Sequence, residues 1–184
     1  MLSLSDLHLR PMTGDDLDTV MGWRNSPHVR RYGFNDDPVT ADEHKRWFEM
    51  VTADPACDIL IAEYRGQAIG LVAIKDISPR HGTCSWGFYI GEDMRDSGIG
   101  VLMEIHGIDH MVTTHNIRKI FGDALKSSER VLHLHKQFGF VEEAVFKEQV
   151  YKDSGYEDVV RIALFTEKWP HIRKRVMDQF VLVK

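Results

Sequence analysis

Residues 83–111 read TCSWGFYIGEDMRDSGIGVLMEIHGIDHM. The run opens with a β-rich segment, turns through Arg95-Asp96-Ser97-Gly98-Ile99-Gly100 and continues with apolar residues at helical spacing. Main-chain amides at a helix N-terminus lack intrahelical partners and lie at the positive end of the helix dipole. Because Gly98 and Gly100 add no side-chain bulk, the turn can seat a phosphate group on its backbone. Taken alone, such a turn more often only reverses the chain, so its interpretation depends on the surrounding sequence.

Outward from this turn, the hydrophobic pattern predicts one mixed α/β domain. Alternation at residues 7–11 predicts a short strand, and Thr13 and Thr40 each begin a helix-capping pattern. Period-two runs at 57–64, 68–75 and 83–90 predict an antiparallel meander. A helix from residue 99, a strand at 119–125, a helix ending at Gly139 and a hairpin of strands at 141–151 and 156–165 follow. This predicts a mostly antiparallel, centrally splayed sheet of about seven strands with about four helices, the domain spanning 1–168 and an extension 169–184.

Composition limits the classes of protein. The chain has 184 residues, 43% of them apolar, which suits one domain with a substantial core. Its net charge of −5 is spread without a basic run, which argues against nucleic-acid binding, and no apolar segment reaches membrane-crossing length. Polar residues interrupt the first ten, so no secretory signal is expected. The two cysteines, Cys57 and Cys84, predict reduced thiols in a cytoplasmic protein.

A second motif gives the glycine turn its context. Residues 116–140 place a strand before a helix that ends in Phe138-Gly139-Phe140. With Arg95, Gly98 and Gly100 in the first motif and Gly139-Phe140 in the second, the chain resembles the GNAT superfamily of N-acetyltransferases over nearly its whole length. The resemblance implies acetyl-coenzyme A (acetyl-CoA) as cosubstrate, with its pantetheine arm extending a strand through main-chain bonds. The implied cofactor-binding residues are Phe88, Tyr89, Ile90, Arg95, Asp96, Ser97, Gly98, Ile99, Gly100 and Ser128.

Two positions depart from the family pattern. Ser128 stands where the family has Asn, and His135 where it commonly has a Tyr that hydrogen-bonds or protonates the leaving thiolate. A histidine can donate a proton near neutrality, so His135 is the candidate acid, with a solvent-facing histidine as the alternative. Asp123 is the preferred base for the attacking amine, with Asp76 and Glu92 as rivals. Neither cysteine has a motif that would activate it, so direct attack in a ternary complex is expected.

Two histidines and an aspartate on one predicted helix have a spacing that can bind a metal ion, but we interpret them as ordinary helix residues. His106 and His110 lie one helical turn apart with Asp109 beside His110, a spacing that can bind a metal. No third ligand motif accompanies them, so we interpret these histidines as helix-surface residues and expect no metal.

The N-terminal third contains Trp23-Arg24-Asn25-Ser26-Pro27, the aromatic pair Tyr32 and Phe34, and His44 with Trp47. These residues resemble the acceptor half of the nucleotide-sugar N-acetyltransferases of pseudaminic acid biosynthesis, which acetylate the 4-amino group of a UDP-linked amino-dideoxy sugar. A UDP diphosphate needs cationic groups from several elements, and uracil needs an aromatic face. The candidate acceptor residues are Arg24, His44 and Lys75 for the diphosphate and Tyr32, Phe34 or Trp47 for the base. Two alternatives stay open, a protein N-terminal or small-amine acetyltransferase and a module that binds acyl-CoA without catalysis. The oligomeric state is also open, with a homodimer as one option.

Overall fold

The computed structural model describes residues 3–92, 94, 98–152 and 155–180. Its strands are β1 (Leu7–Pro11), β2 (Asp58–Tyr64), β3 (Gln67–Ser78), β4 (Thr83–Ile90), β5 (Lys119–Leu125), β6 (Val141–Lys152) and β7 (Gly155–Phe165). In this part of the chain they form a seven-stranded sheet in the order β1-β2-β3-β4-β5-β7-β6. All neighbouring strands run antiparallel except β4 and β5, which are parallel.

The helices are α1 (Leu17–Asn25), α2 (Pro27–Arg30), α3 (Ala41–Ala53), α4 (Ile99–His115), α5 (Glu129–Gln137) and α6 (Trp169–Phe180). The capping pattern at Thr40 is confirmed, because its hydroxyl accepts from the Glu43 amide while the Glu43 carboxylate accepts from the Thr40 amide at 2.9 Å. The short helix α2 lies where the sequence predicted a polar loop, and Pro27 occupies its first turn. Within the described residues, no helix combines the length and the apolar character needed to span a membrane.

Alternate side chains of the meander enter two different apolar clusters. Leu60 and Ala62 of β2 lie in the larger cluster with much of α4, whereas Ile59 and Ile61 pack with α1 and α3 in the smaller cluster. Because successive strand residues point to opposite faces, the two clusters lie on opposite faces of the sheet. The helices therefore form two layers with the sheet between them.

The segment that the sequence sets apart as an extension contributes to the larger cluster. Trp169, Ile172, Val176 and Met177 of α6 are buried there. The indole nitrogen of Trp169 also donates to Asp109 of α4 at 2.8 Å. As far as the structure describes it, this segment packs on the domain.

The parallel junction between β4 and β5 is short. The strands pair from Thr83 with Lys119 to Ser85 with Phe121, and β5 then continues along β7 alone. β4 continues to Ile90 paired with β3. The two strands therefore separate, and the predicted fold class is confirmed: a single α/β domain with a mostly antiparallel seven-stranded sheet flanked by helices.

Candidate active site

The separated edge of β4 offers backbone groups to a ligand. From Trp86 onward, β4 keeps its ladder to β3 but has no β5 partner among the described residues. An extended chain with one unpaired edge can bind an extended ligand through main-chain hydrogen bonds. At the point of separation, a Cβ on Gly122 of β5 would lie 3.0 Å from the Trp86 carbonyl oxygen, so glycine lets the two backbones approach there. The edge beside Phe88 and Ile90 therefore fits the amides of a pantetheine arm.

Helix α4 begins beyond the end of β4. Gly98 is its N-cap residue and adopts a left-handed backbone with φ of 79°, which glycine tolerates at little cost. A Cβ on Gly100 would make ordinary contact, at 3.6 Å, with Leu134, so α5 packs beside the first turn of α4. This helix start suits an anion such as a diphosphate. The predicted contacts Arg95, Asp96 and Ser97 lie outside the described residues.

Two further predicted cofactor-binding residues are Ser128, at the start of α5, and Tyr89, in the separated part of β4. Ser128 is buried and is the N-cap residue of α5, although its side chain makes no capping hydrogen bond. The Tyr89 side chain packs with the smaller cluster, on the face of the sheet away from α4. Tyr89 can therefore serve the predicted cofactor site only through its backbone.

His135 and Glu104 form a buried pair beside the separated edge. His135 Nδ1 and Glu104 Oε1 are 2.8 Å apart, Glu104 is fully buried, and His135 is 9% exposed. The rings of Trp86, Phe88 and Phe140 surround the imidazole at centroid distances of 5.8, 6.0 and 5.2 Å. The alternative of a solvent-facing His135 is therefore wrong. Because Trp86 and Phe88 belong to the separated part of β4, His135 lies next to the candidate pantetheine edge.

The pKa of the Glu104 carboxyl group depends on the His135 imidazole. Burial raises the pKa of Glu104, and the charge of His135 and its hydrogen bond oppose that rise. Glu104 Oε2 is buried without a hydrogen-bond partner among the described residues. With Nδ1 engaged by Glu104, Nε2 is the ring nitrogen left for another group. Sequence reasoning missed Glu104, although a lone carboxylate within the apolar run 99–105 was a signal.

The three candidate bases differ in what they contact. Both oxygens of Asp123 accept from the Arg161 guanidinium, at 2.8 and 2.7 Å. Protonation of Asp123 would break this ion pair, which disfavours it as the base. Asp76 accepts from a serine hydroxyl near the start of β4, far from the separated end. Glu92 follows the separated end of β4 and accepts from the Trp23 indole at 2.9 Å.

Two predicted diphosphate ligands are anchored near opposite ends of β4. Lys75 is exposed and pairs with Ser85 near the start of β4. Arg24 follows Trp23, whose indole lies against Gly91 just beyond the other end of β4; a Cβ on Gly91 would lie 2.1 Å from the indole. About 20 Å of extended strand lies between Ser85 and Gly91. The convergence of Arg24 and Lys75 on a single diphosphate therefore stays a prediction.

His44 and Trp47 serve mainly as packing residues of α3. Their rings stack with centroids 5.1 Å apart. His44 is 5% exposed, and burial lowers its pKa, so its imidazole is neutral near pH 7. Trp47 packs against the smaller cluster. The predicted contact of the His44 imidazole with a diphosphate therefore stays a prediction, and Trp47 contributes to the packing of α3.

A cavity, called the acidic cavity below, lies between residues 30–37 and Tyr151 of β6. It has a volume of about 540 Å³ and is lined by Arg30, Phe34, Asn35, Asp36, Asp37 and Tyr151. The Arg30 guanidinium donates to the main-chain oxygen of Asp36, and Arg24 donates to that of Asn35 at 2.7 Å. Both arginines therefore shape the loop, and the carboxylates of Asp36 and Asp37 leave the cavity lining with a net negative charge.

Lys152, at the end of β6, connects the β6–β7 hairpin to residues 30–33 through hydrogen bonds. It is 5% exposed, and its ammonium donates to the carbonyl oxygens of Arg30, Arg31 and Gly33 at 3.2, 3.0 and 2.7 Å. Tyr32 lies within the same loop and is 45% exposed, so its ring is accessible. Sequence reasoning missed Lys152 because its partners lie more than a hundred residues earlier.

The pattern of His106, Asp109 and His110 does not converge. His106 Nε2 lies 3.1 Å from the Leu4 carbonyl oxygen, and Asp109 accepts from α6. His110 Nε2 lies 2.8 Å from Asp58 of β2. Both histidines are half-buried and have partners, so they lie only partly at the helix surface.

Comparison with known proteins fits this geometry. Residues 6–141 match the family model described as an acetyltransferase (GNAT) domain, so the chain belongs to that family and is an acetyl-CoA-dependent N-acetyltransferase. This sets aside the alternative of a module without catalysis.

The relatives that the comparison found are amine acetyltransferases. Spermidine N(1)-acetyltransferase from Vibrio cholerae is 24% identical over 90% of this chain and 96% of that protein. The Escherichia coli protein of the same name is 22% identical over 92% of this chain and 91% of its own length. A crystal structure of spermidine N-acetyltransferase from Vibrio cholerae in complex with CoA and spermine has a TM-score of 0.84 at 24% identity, covering 90% of this chain and 99% of that one. None of these three is a nucleotide-sugar enzyme.

Proposed function

We propose that this enzyme acetylates a primary amine on a small, multiply charged amine of the polyamine class. The acidic cavity carries the proposal. Ammonium groups that remain charged during the reaction need carboxylates, and the methylene chain between them needs apolar surface. Asp36 and Asp37 supply the carboxylates, and Phe34 and Tyr151 supply the aromatic surface.

The curated relatives support an amine of this kind. Both carry the name spermidine N(1)-acetyltransferase, and the match extends over 96% and 91% of their lengths. The proposed acceptor therefore differs from the UDP-linked amino sugar that the N-terminal motifs suggested, and agrees with the small-amine alternative.

We assign the acid role to His135. Bound acetyl-CoA supplies the thioester carbonyl that the amine attacks and the thiolate that leaves. The unpaired edge of β4 orients the thioester, and His135 holds a proton at Nε2 for the departing sulfur. Glu104 accepts the Nδ1 proton at 2.8 Å and so orients the ring, and the acid is the imidazolium form that carries a second proton at Nε2. Glu104 is thus a positioning residue for the acid.

The attacking amine has to lose a proton, and we assign its removal to Glu92 because this carboxylate lies at the separated end of β4. Neither cysteine serves as a nucleophile. Burial raises the pKa of Cys84 to about 12 and also raises that of Cys57, so both are thiols at neutral pH. Transfer therefore proceeds directly from thioester to amine.

Thiol release from acetyl-CoA tests the proposal with spermidine, spermine, a UDP-amino sugar and peptides that begin with Ala or Ser. We expect turnover of the polyamines. Asp36→Asn and Asp37→Asn should each raise KM for the polyamine about 5- to 30-fold, as expected for the loss of about 1–2 kcal/mol of charged hydrogen bonding, without changing KM for acetyl-CoA. The matched control is Asp42→Asn, an exposed carboxylate on α3. Turnover of only the sugar or the peptides would contradict the proposal.

A UDP-amino sugar stays the second candidate because of Arg24. Its Nη1 is buried without a partner among the described residues, which is costly unless an anionic group completes it. For this acceptor, Arg24→Ala should raise KM for the UDP-sugar far more than KM for acetyl-CoA. Equal changes in both would remove the candidate.

A further inference from the structure

A second cluster of titratable side chains lies where the end of α4 meets the start of β2. The Nε2 atoms of His110 and His115 each lie 2.8 Å from Oδ2 of Asp58. Their side chains are 26% and 21% exposed and that of Asp58 is 23% exposed, so the cluster is half-buried yet reachable by solvent. The ligand-capable atoms of all three residues lie within 4.8 Å of one another.

We propose that Asp58, His110 and His115 bind a divalent transition metal ion, with Zn²⁺ as the ion that suits the donors best. Two imidazole nitrogens and one carboxylate oxygen are a common zinc ligand set, and a water molecule completes the tetrahedron. At zinc–ligand distances of about 2.0–2.2 Å, tetrahedral donors lie roughly 3.3 Å apart. The contacts of 2.8 Å seen here reach that spacing after shifts of about half an ångström.

The surroundings of His110 favour metal binding through Nε2. A ligating histidine carries its proton on the other ring nitrogen, where a second group holds it. The Thr114 hydroxyl lies 3.4 Å from His110 Nδ1 and can accept that proton. Both imidazoles also direct Nε2 toward the same oxygen of Asp58, so the three donor atoms lie close together and a metal ion would take the place of these hydrogen bonds.

The site is remote from the active site and spans two elements. His110 lies twelve residues after Gly98 on α4, about 18 Å along the helix. A bound ion would join the end of α4 to the first residue of β2. Its effect is therefore structural, and turnover of acetyl-CoA should not depend on it. The expectation that no metal binds is revised for this cluster alone.

Calorimetric titration of the full chain with Zn²⁺ tests the proposal after tag removal and EDTA treatment. We expect about one equivalent of bound ion and, at free Zn²⁺ near a hundred times Kd, a melting temperature about 5–10 °C higher. Asp58→Asn and His115→Gln should abolish both effects. His171→Gln, an exposed histidine on α6, should retain them.

A measurement on the wild-type protein tests the zinc site even if one of the variants fails to fold. In the wild type, one equivalent of Zn²⁺ should shift the side-chain ¹⁵N resonances of two of the ten histidines, and these should be His110 and His115. Shifts of other histidines, no shift at all, or equal titrations for the wild type and both ligand variants would overturn the assignment.

Discussion

Replacing Glu104 by glutamine tests whether the hydrogen bond between Glu104 and His135 supports His135 as the acid. Glutamine keeps the shape of the side chain and removes its charge. Its amide oxygen can still accept the His135 Nδ1 proton across the observed 2.8 Å. The substitution therefore exchanges a charge-assisted hydrogen bond for a neutral one and leaves the imidazole in place.

The expected loss follows from that exchange. Hydrogen bonds to charged groups contribute about 1.5–3 kcal/mol and neutral ones about 0.5–1.5, a difference of about 1–2 kcal/mol. If this difference in hydrogen-bond free energy affects the transition state and not substrate binding, kcat falls about 5- to 30-fold while KM for acetyl-CoA stays constant. Because glutamine would place its amide nitrogen where Glu104 Oε2 has no partner among the described residues, the melting temperature is measured beside kcat to separate a loss of stability from a loss of the acid's support.

The assay is thiol release at saturating acetyl-CoA and amine across the neutral to alkaline range. His135→Phe should lower kcat by about 10²-fold or more, and Glu104→Gln should add nothing in that background. Wild-type kcat in Glu104→Gln, or a fall in kcat matched by a lower melting temperature, would refute the reasoning.

Three further predictions concern packing, the acceptor loop (residues 30–39, which precede α3 and contribute to the acidic cavity) and pH. In urea unfolding, Gly91→Ala should lose about 1–3 kcal/mol because its Cβ would overlap an indole ring, whereas Gly87→Ala, with no atom within 4 Å of its Cβ, should change by about 0.5 kcal/mol or less. Lys152→Met should raise KM for the amine more than KM for acetyl-CoA in steady-state kinetics, since three carbonyl oxygens of the acceptor loop lose their donor; equal changes would contradict this. The Arg10 guanidinium lowers the pKa of Asp16 to about 2, below its unfolded value, so their ion pair stabilises the fold above about pH 4 and is lost as pH falls toward 2. Because Arg10 is about a third exposed, Asp16→Asn should cost only about 1–2 kcal/mol at pH 7 and nothing near pH 2 by chemical denaturation, and an equal cost at both pH values would exclude the ion pair as the cause.

Local signals account for how well the fold could be predicted. The cap at Thr40, the alternation of β4 and the spacing of α4 each lie within one continuous segment, so a single sequence reveals them. Helix α2 was missed because four residues are too few to show a period. In α6, the buried Trp169, Ile172 and Val176 follow helical spacing, but the charged residues between them made the segment look like a polar tail.

Partners in the site could not be predicted because they depend on contacts between distant segments. A motif pointed to His135, but nothing in the sequence fixed Glu104 as its partner across 31 positions. Arg24 and Lys75 looked like joint ligands because a sequence carries no measure of position along a strand. The register of β3 on β4 supplies that measure for Lys75, which pairs with Ser85 near the start of β4.

Because the two apolar clusters occupy opposite faces of the sheet, amine preference can diverge during evolution without disturbing use of the acetyl donor. Helices α1 and α3, next to the acceptor loop, pack with the smaller cluster, whereas the rings around His135 and the core of α4 belong to the larger one. Under the proposed function, a substitution in the smaller cluster changes the packing on the acceptor side and leaves the rings around His135 untouched.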